Sequence, residues 1–157
     1  MKTVYIETSV VSYLASKPSR DIIIAAHQQI TQEWWENVLF QNFEPCISEV
    51  VIEEAGQGDP SAAERRLSKL VGIRILPTSS ETKELATAYL HCLSLPQSAG
   101  LDAAHLAIAV LNAADYLVSW NCKHIANGRI IRLIQEENKK RGLKTPVICT
   151  PEELWEA

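Results

Sequence analysis

Five short segments rich in β-branched and aromatic residues recur along this chain, and longer segments with helical periodicity separate them. The predicted strands cover residues 3–6, 43–47, 73–76, 116–119 and 146–149. Strands that alternate with helices pair in parallel, because a parallel connection needs a crossover long enough to hold a helix. The sequence therefore predicts an α/β fold with three layers, α/β/α, around a central parallel sheet of about four to five strands.

The segments between the strands have the spacing and the end signals of helices. The predicted helices cover residues 8–14, 21–40, 48–55, 60–71, 81–93, 102–114 and 130–140. Ser48 is a hydroxyl N-cap candidate, and Gly142 is a typical helix stop. The long helix 21–40 is amphipathic, with Ile22 on its apolar face. Its exposed Trp34 and Trp35 are interpreted as packing or dimerisation residues in preference to base-stacking ones.

Length and composition bound the class of protein. A chain of 157 residues with 46% hydrophobic and 22% charged residues is expected to form a single domain over residues 1–157. No apolar run approaches the roughly 20 residues that span a bilayer, and the N-terminus enters a strand pattern directly. We therefore expect a cytoplasmic protein that does not enter membranes. The net charge of −4 argues against broad duplex binding but is compatible with an acidic metal site.

The four cysteines are far apart and form no C-x-x-C pair. In a chain with an adequate core they are expected to be reduced and mostly buried. Cys122 and His124 resemble half of a zinc site, but no second half with matching spacing exists, so no structural zinc is expected.

Oxygen side chains stand where predicted strands end and helices begin. Glu7 follows the first strand, Asn121 follows the fourth, and Asp102 opens a helix. Glu54 shares the apolar face of the helix 48–55 with Val50 and Val51. The carboxyl ends of parallel strands meet at one edge of a sheet, so these side chains are expected to converge there. Such a cluster of oxygens suits a hard cation, Mg²⁺ or Mn²⁺.

Each of these residues also has a structural interpretation. The alternatives are an acid at a helix N-terminus for Glu7, an ion pair with an arginine for Glu54, a helix N-cap for Asp102, and an Asx-turn for Asn121. His105 lies one turn after Asp102 and is interpreted as a satisfied helix histidine, outside the catalytic set. Together these residues are stronger evidence for a metal site than any one of them, because three adjacent carboxylates repel one another unless a cation joins them.

The chemistry that this set supports is metal-assisted hydrolysis of a phosphodiester. A bound divalent cation polarises a phosphoryl oxygen and generates a nucleophile from water, so no serine or cysteine nucleophile is needed. The hydroxyl of Thr8 or Ser9 is a candidate for the metal shell or for a phosphate contact.

In order and spacing, these motifs resemble those of a PIN domain, the fold of the VapC-type ribonuclease toxins. The resemblance spans essentially the whole chain and is carried by residues 5–9, 48–55, 102–109 and 117–121. It implies an endoribonuclease that cuts single-stranded RNA with Mg²⁺ or Mn²⁺, with Glu7, Glu54 and Asp102 as metal ligands. Asn121 is then a ligand or a water-positioning group. It also implies a homodimer and a small antitoxin protein that blocks the site.

The sequence departs from the family pattern at two positions. Glu7 and Asn121 stand where the family has Asp after the first strand and usually Asp after the fourth. The extra methylene of Glu7 requires a shifted backbone or another rotamer, and Asn121 removes a charge that a second metal would need. These departures leave open a degenerate PIN module that binds RNA or a protein partner without cutting. A Rossmann-like nucleotide-binding protein is disfavoured, because no Gly-rich loop follows the first strand.

Overall fold

The structure, a computed structural model, describes residues 1–155 of the chain. Its sheet has five parallel strands in the order β3-β2-β1-β4-β5. The strands are β1 (Lys2–Ile6), β2 (Phe43–Ile47), β3 (Arg74–Ile75), β4 (Tyr116–Val118) and β5 (Val147–Cys149). The predicted α/β class and the parallel sheet are confirmed, with strand ends differing from the predicted ones by at most one residue.

Helices occupy the predicted intervals between the strands. They are α1 (Thr8–Ala15), α2 (Ile22–Trp34), α3 (Phe40–Asn42), α4 (Glu49–Ala55), α5 (Pro60–Lys69), α6 (Ser80–Cys92), α7 (Gly100–Leu111) and α8 (Gly128–Arg141). Ser48 caps α4 by accepting a hydrogen bond from the Val51 amide. Gly142 ends α8 at φ +69°, a left-handed conformation that glycine adopts without steric cost. The end signals in the sequence therefore stop and start the helices as expected.

The direction of the connections sorts the helices into two layers. Right-handed crossovers from β1 through β2 to β3 put α1–α5 on one face of the sheet. The chain then returns to β4 and continues to β5, which puts α6–α8 on the other face. The packing agrees, since α1 contacts α2, α4 and α5, whereas α6 contacts α7 and α8.

The helix predicted for residues 21–40 is interrupted, and its buried face differs from the predicted one. A π-helical segment, Trp35–Leu39, separates α2 from α3. Ile22 is 83% exposed, because the first turns of α2 stand clear of the core. The description of Trp34 and Trp35 as exposed is wrong, since both rings are buried. The Trp34 indole donates a hydrogen bond to the Leu154 carbonyl at 2.8 Å, which is a packing role.

The four cysteines form no disulfide, and only two of them are buried. Burial raises the pKa of the Cys46 and Cys149 thiols to about 12, so both are neutral small hydrophobes at physiological pH. Cys122 is exposed and Cys92 is half-buried, contrary to the expectation that most of them lie in the core. Within residues 1–155, no helix combines the length and the apolar character that crossing a membrane requires.

The order in which the chain adds strands to the sheet reverses between the neighbouring strands β1 and β4. From β1 the chain proceeds outward through β2 to β3, and it resumes on the other side of β1 with β4 and β5. Loops that leave the carboxyl ends of such a pair diverge to opposite faces and leave a crevice, where α/β proteins bind ligands. Glu7 follows β1 directly, so the first residue of the predicted site lies at this crevice.

Candidate metal centre

Glu7 is held at the end of β1 by donors from two neighbouring segments. It is the N-cap residue of α1, and its carboxylate accepts from the Ser9 amide at 3.0 Å and the Ser9 hydroxyl at 2.6 Å. The Ser119 hydroxyl, one residue beyond β4, donates to the same carboxylate at 2.5 Å. Glu7 therefore has the structural role of an N-cap, and the residue is 5% exposed at the crevice.

Glu54 reaches the same place from the last turns of α4. Its Oε1 accepts hydrogen bonds from the Thr8 hydroxyl at 2.7 Å and from His105 Nε2 at 2.5 Å. Burial opposes ionisation of this carboxyl, but the hydrogen bonds and the charge of His105 outweigh it and hold the pKa of Glu54 below its usual value. The alternative of an ion pair with an arginine is wrong, since the partner of Glu54 is His105.

His105 is fully buried in α7 and both of its ring nitrogens are engaged. A carboxylate only accepts, so the ring must donate to Glu54 from Nε2. Nδ1 shares a hydrogen bond of 2.7 Å with the Tyr5 hydroxyl, which shares another of 2.7 Å with the Ser48 hydroxyl. Burial raises the pKa of Tyr5 far above its usual value, which keeps the phenol a neutral donor. The chain Ser48–Tyr5–His105–Glu54 thus fixes the Glu54 carboxylate from the core side.

Ligand atoms of Glu7, Glu54 and His105 lie within 4.8 Å of one another. In the part of the chain that the structure describes, no Lys or Arg forms an ion pair with Glu7 or Glu54. Glu7 is buried, Glu54 is 24% exposed, and His105 is the basic side chain that contacts them. Two adjacent carboxylates repel each other unless a cation joins them. Carboxylate oxygens fit a divalent ion such as Mg²⁺ or Mn²⁺, while the ring nitrogens of His105 are engaged with Glu54 and Tyr5. The residues therefore fit the metal that the sequence predicts.

Asp102 lies in the first turn of α7, one turn before His105. The helix begins at Gly100, so the interpretation of Asp102 as the N-cap is wrong. Its Oδ2 accepts from His124 Nδ1 at 2.9 Å, and its side chain is 22% exposed. Its Oδ1 has no hydrogen-bond partner within residues 1–155. Asp102 is outside the group of Glu7, Glu54 and His105.

Asn121 closes a turn after β4. Its Oδ1 accepts from the backbone amides of Lys123 at 3.2 Å and His124 at 3.0 Å, which is the Asx-turn of the structural interpretation. This oxygen is the one that would bind a metal, and here it is engaged by the two amides of the turn. The same turn places the His124 imidazole in contact with Asp102.

Two residues of the centre, His105 and Ser119, were absent from the predicted set. A histidine inside the apolar helix α7 needs polar partners on burial, and its position one turn after Asp102 was the available signal. Ser119 gave no signal, because only the register Ile6↔Val118 puts the residue after β4 beside Glu7. Thr8 and Ser9 are both present, as donors to Glu54 and Glu7 respectively.

Comparison with known proteins gives matches among solved structures only. No description of a known family matches the sequence, and no curated protein is significantly similar to it. VapC20 of Mycobacterium tuberculosis, a sarcin-ricin loop cleaving toxin, is similar at TM-score 0.60 and 13% identity over 76% of this chain and 91% of that chain.

Two further matches cover nearly the whole chain. VapBC2 of Rickettsia felis, solved with a DNA fragment from its promoter, matches at TM-score 0.61 and 15% identity over 98% of this chain and 99% of that chain. FitAcB of Neisseria gonorrhoeae matches at TM-score 0.56 and 11% identity over 96% and 99% respectively. Identities this low report on architecture alone. The chain has the PIN-like fold of the VapC toxins.

Proposed function

We propose that this protein is a metal-dependent endoribonuclease of the toxin type that hydrolyses phosphodiester bonds of single-stranded RNA. One observation carries the proposal: Glu7 and Glu54, which are 47 positions apart in the sequence, converge with His105 at the carboxyl edge of a PIN-like sheet. Two adjacent carboxylates with no lysine or arginine paired to them in the described part of the chain are suited to a divalent cation.

The roles of the residues follow from their contacts. When bound, Mg²⁺ or Mn²⁺ stabilises charge on a phosphodiester and activates water for in-line attack. Glu7, Glu54 and Asp102 supply the carboxylate oxygens that would hold the ion. His105 and Thr8 orient Glu54, while Ser9 and Ser119 orient Glu7. For Asn121 the proposal is a water-positioning role through its amide nitrogen, because its oxygen is engaged in the turn.

The structural neighbours support the substrate and the partners of the proposal. Cleavage of the sarcin-ricin loop by VapC20 supports an RNA substrate. The complexes of VapBC2 and FitAcB support a small antitoxin protein as the partner that blocks the site. The proposal also includes assembly as a homodimer and a location in the cytoplasm.

Cleavage of a labelled single-stranded RNA pool tests this function, with Mn²⁺, with Mg²⁺ and with EDTA. We expect cutting that requires the metal and that is lost in Asp102→Ala. The unfolding temperature of this variant should stay within about 2–4 °C of wild type, since Asp102 does not cap its helix. Glu81→Ala is the matched control, because Glu81 is an exposed acid in the first turn of α6. Cutting that survives EDTA, or that survives in Asp102→Ala, would contradict the proposal.

A second candidate is a PIN-like module that binds RNA or a protein without cutting. It is favoured by the turn that closes on Asn121 and by the His124 imidazole bound to Asp102. These contacts engage one oxygen of Asp102 and the side-chain oxygen of Asn121, which reduces what both residues can offer to a metal ion. Metal binding without turnover on any RNA of the pool would support this candidate, and robust metal-dependent cutting would exclude it.

A further inference from the structure

Beside the carboxylate group lies a cluster of three aromatic rings: Tyr13 of α1, His27 of α2 and Trp120 after β4. The His27 imidazole is stacked on the Trp120 indole, with ring centroids 4.1 Å apart and planes 13° from parallel. Tyr13 stands edge-on to Trp120 at 6.0 Å and is tilted to His27 at 6.2 Å. The Trp120 indole donates to the Thr31 hydroxyl at 2.7 Å, which fixes the plane of the stack.

This aromatic cluster is tied directly to the candidate metal centre. The backbone amide of Trp120 donates to the Ser9 hydroxyl at 2.8 Å, and that hydroxyl donates to Glu7. Tyr13 belongs to α1, the helix that Glu7 caps. The rings are therefore held two hydrogen bonds from a carboxylate of the proposed site, on the side of the crevice where α1 and α2 lie.

The outer rings of the aromatic cluster are partly exposed. Trp120 is 9% exposed, whereas His27 and Tyr13 are half-buried. No second ring is stacked on His27 among residues 1–155, so the parallel stack ends at the imidazole. Planar rings extend such a parallel stack, and nucleobases do so without regard to sequence.

Basic side chains lie in the segments that flank the aromatic cluster. Lys17 and Arg20 are exposed in the loop between α1 and α2, and Lys123 is exposed in the turn after Trp120. None of these three forms an ion pair within the described part of the chain. The Gln28 amide donates to the Lys17 carbonyl at 3.1 Å, which anchors that loop beside His27. In a protein of net charge −4, exposed cations in the segments that flank stacked rings favour a phosphate backbone.

We propose that Tyr13, His27 and Trp120 form a base-stacking subsite for single-stranded RNA, in which His27 takes a nucleobase next to the nucleotide that is cut. The inference rests on the proposed function for its position relative to the scissile bond. Exposed Ile23, one turn before His27, would also suit an apolar peptide. The parallel rings and the unpaired cations favour RNA over a peptide, and the experiment separates the two.

The experiment measures binding in EDTA, so that it does not depend on cleavage. A short labelled oligoadenylate and an abasic oligomer of the same length are titrated with the full chain, and fluorescence anisotropy gives each Kd. His27→Leu removes the planar ring but keeps packing on Trp120, His27→Phe keeps a planar ring, and Gln29→Ala is the control on the exposed side of α2. Thermal unfolding of each variant establishes that it is folded.

We expect His27→Leu to weaken oligoadenylate binding about tenfold and His27→Phe to bind within about threefold of wild type. The abasic oligomer should bind weakly and equally to all variants. Equal oligoadenylate affinity of wild type and His27→Leu would overturn the subsite, as would equal losses on both oligomers or no binding by wild type. If the variants lose binding as expected but the wild-type protein never cuts RNA, the result supports the subsite and contradicts the nuclease function.

Discussion

Replacing Glu54 by Gln is expected to reduce metal-dependent RNA cleavage by at least about a hundredfold. Loss of a residue that only orients a ligand typically costs 10–100-fold in metal affinity or activity, and Glu54 is proposed as a ligand itself. Gln keeps an oxygen that accepts from Thr8 and His105, so the local fold is retained while the charge is removed. Single-turnover cleavage of one labelled RNA at fixed Mn²⁺ measures the effect.

Glu53→Gln is the matched control for this substitution. Glu53 precedes Glu54 on the same helix and is exposed, so the two variants change the net charge equally. We expect Glu53→Gln to cut RNA at a rate close to that of wild type. Similar rates for Glu54→Gln and Glu53→Gln would mean that the Glu54 carboxylate does not take part in the reaction.

Replacing His105 by Ala is expected to destabilise the protein by about 3 kcal/mol. The substitution opens a cavity under α7 and removes a hydrogen-bond partner from both Tyr5 and Glu54. For a chain of this length such a loss lowers the unfolding temperature by about 6–12 °C. Thermal unfolding in EDTA, followed by circular dichroism, measures it without a contribution from bound metal.

His91→Ala provides the comparison for His105→Ala. His91 is an exposed histidine in the last turn of α6 and should shift the unfolding temperature little. If both variants unfolded at the wild-type temperature, the hydrogen-bonded chain from Ser48 to Glu54 would contribute nothing to folding. His105 would then make no contribution to the free energy of unfolding.

Local sequence signals were sufficient for the architecture of this protein. Alternation of short apolar segments with helical periods predicted the parallel sheet, and Ser48 and Gly142 marked real helix ends. The same signals failed along α2, where Ile22 is exposed and Trp34 is buried. Periodicity identifies an apolar face, but only tertiary packing decides which turns of the helix the core covers.

The sequence predicted that Glu7 and Glu54 would lie together, but it did not predict the residues that contact them. Glu7 and Glu54 could be inferred because a carboxylate at a strand end or on an apolar face requires a partner. The partner of Glu54, His105, lies 51 positions away, and no local pattern links the two. Asn121 fitted a turn and a ligand equally well from the sequence. Its contacts with the amides of Lys123 and His124 depend on the path of the loop, which the sequence alone leaves open.

Titration of Mn²⁺ into the metal-free protein tests the central claim, that the carboxylates at the sheet edge hold a divalent cation. Calorimetry on wild type, Glu7→Gln, Glu54→Gln and the control Glu53→Gln gives the stoichiometry and affinity of each. The account predicts saturable binding by wild type and Glu53→Gln, and a loss of affinity of at least about tenfold in the other two. Wild-type affinity in both Glu7→Gln and Glu54→Gln, or no binding by wild type, would contradict it.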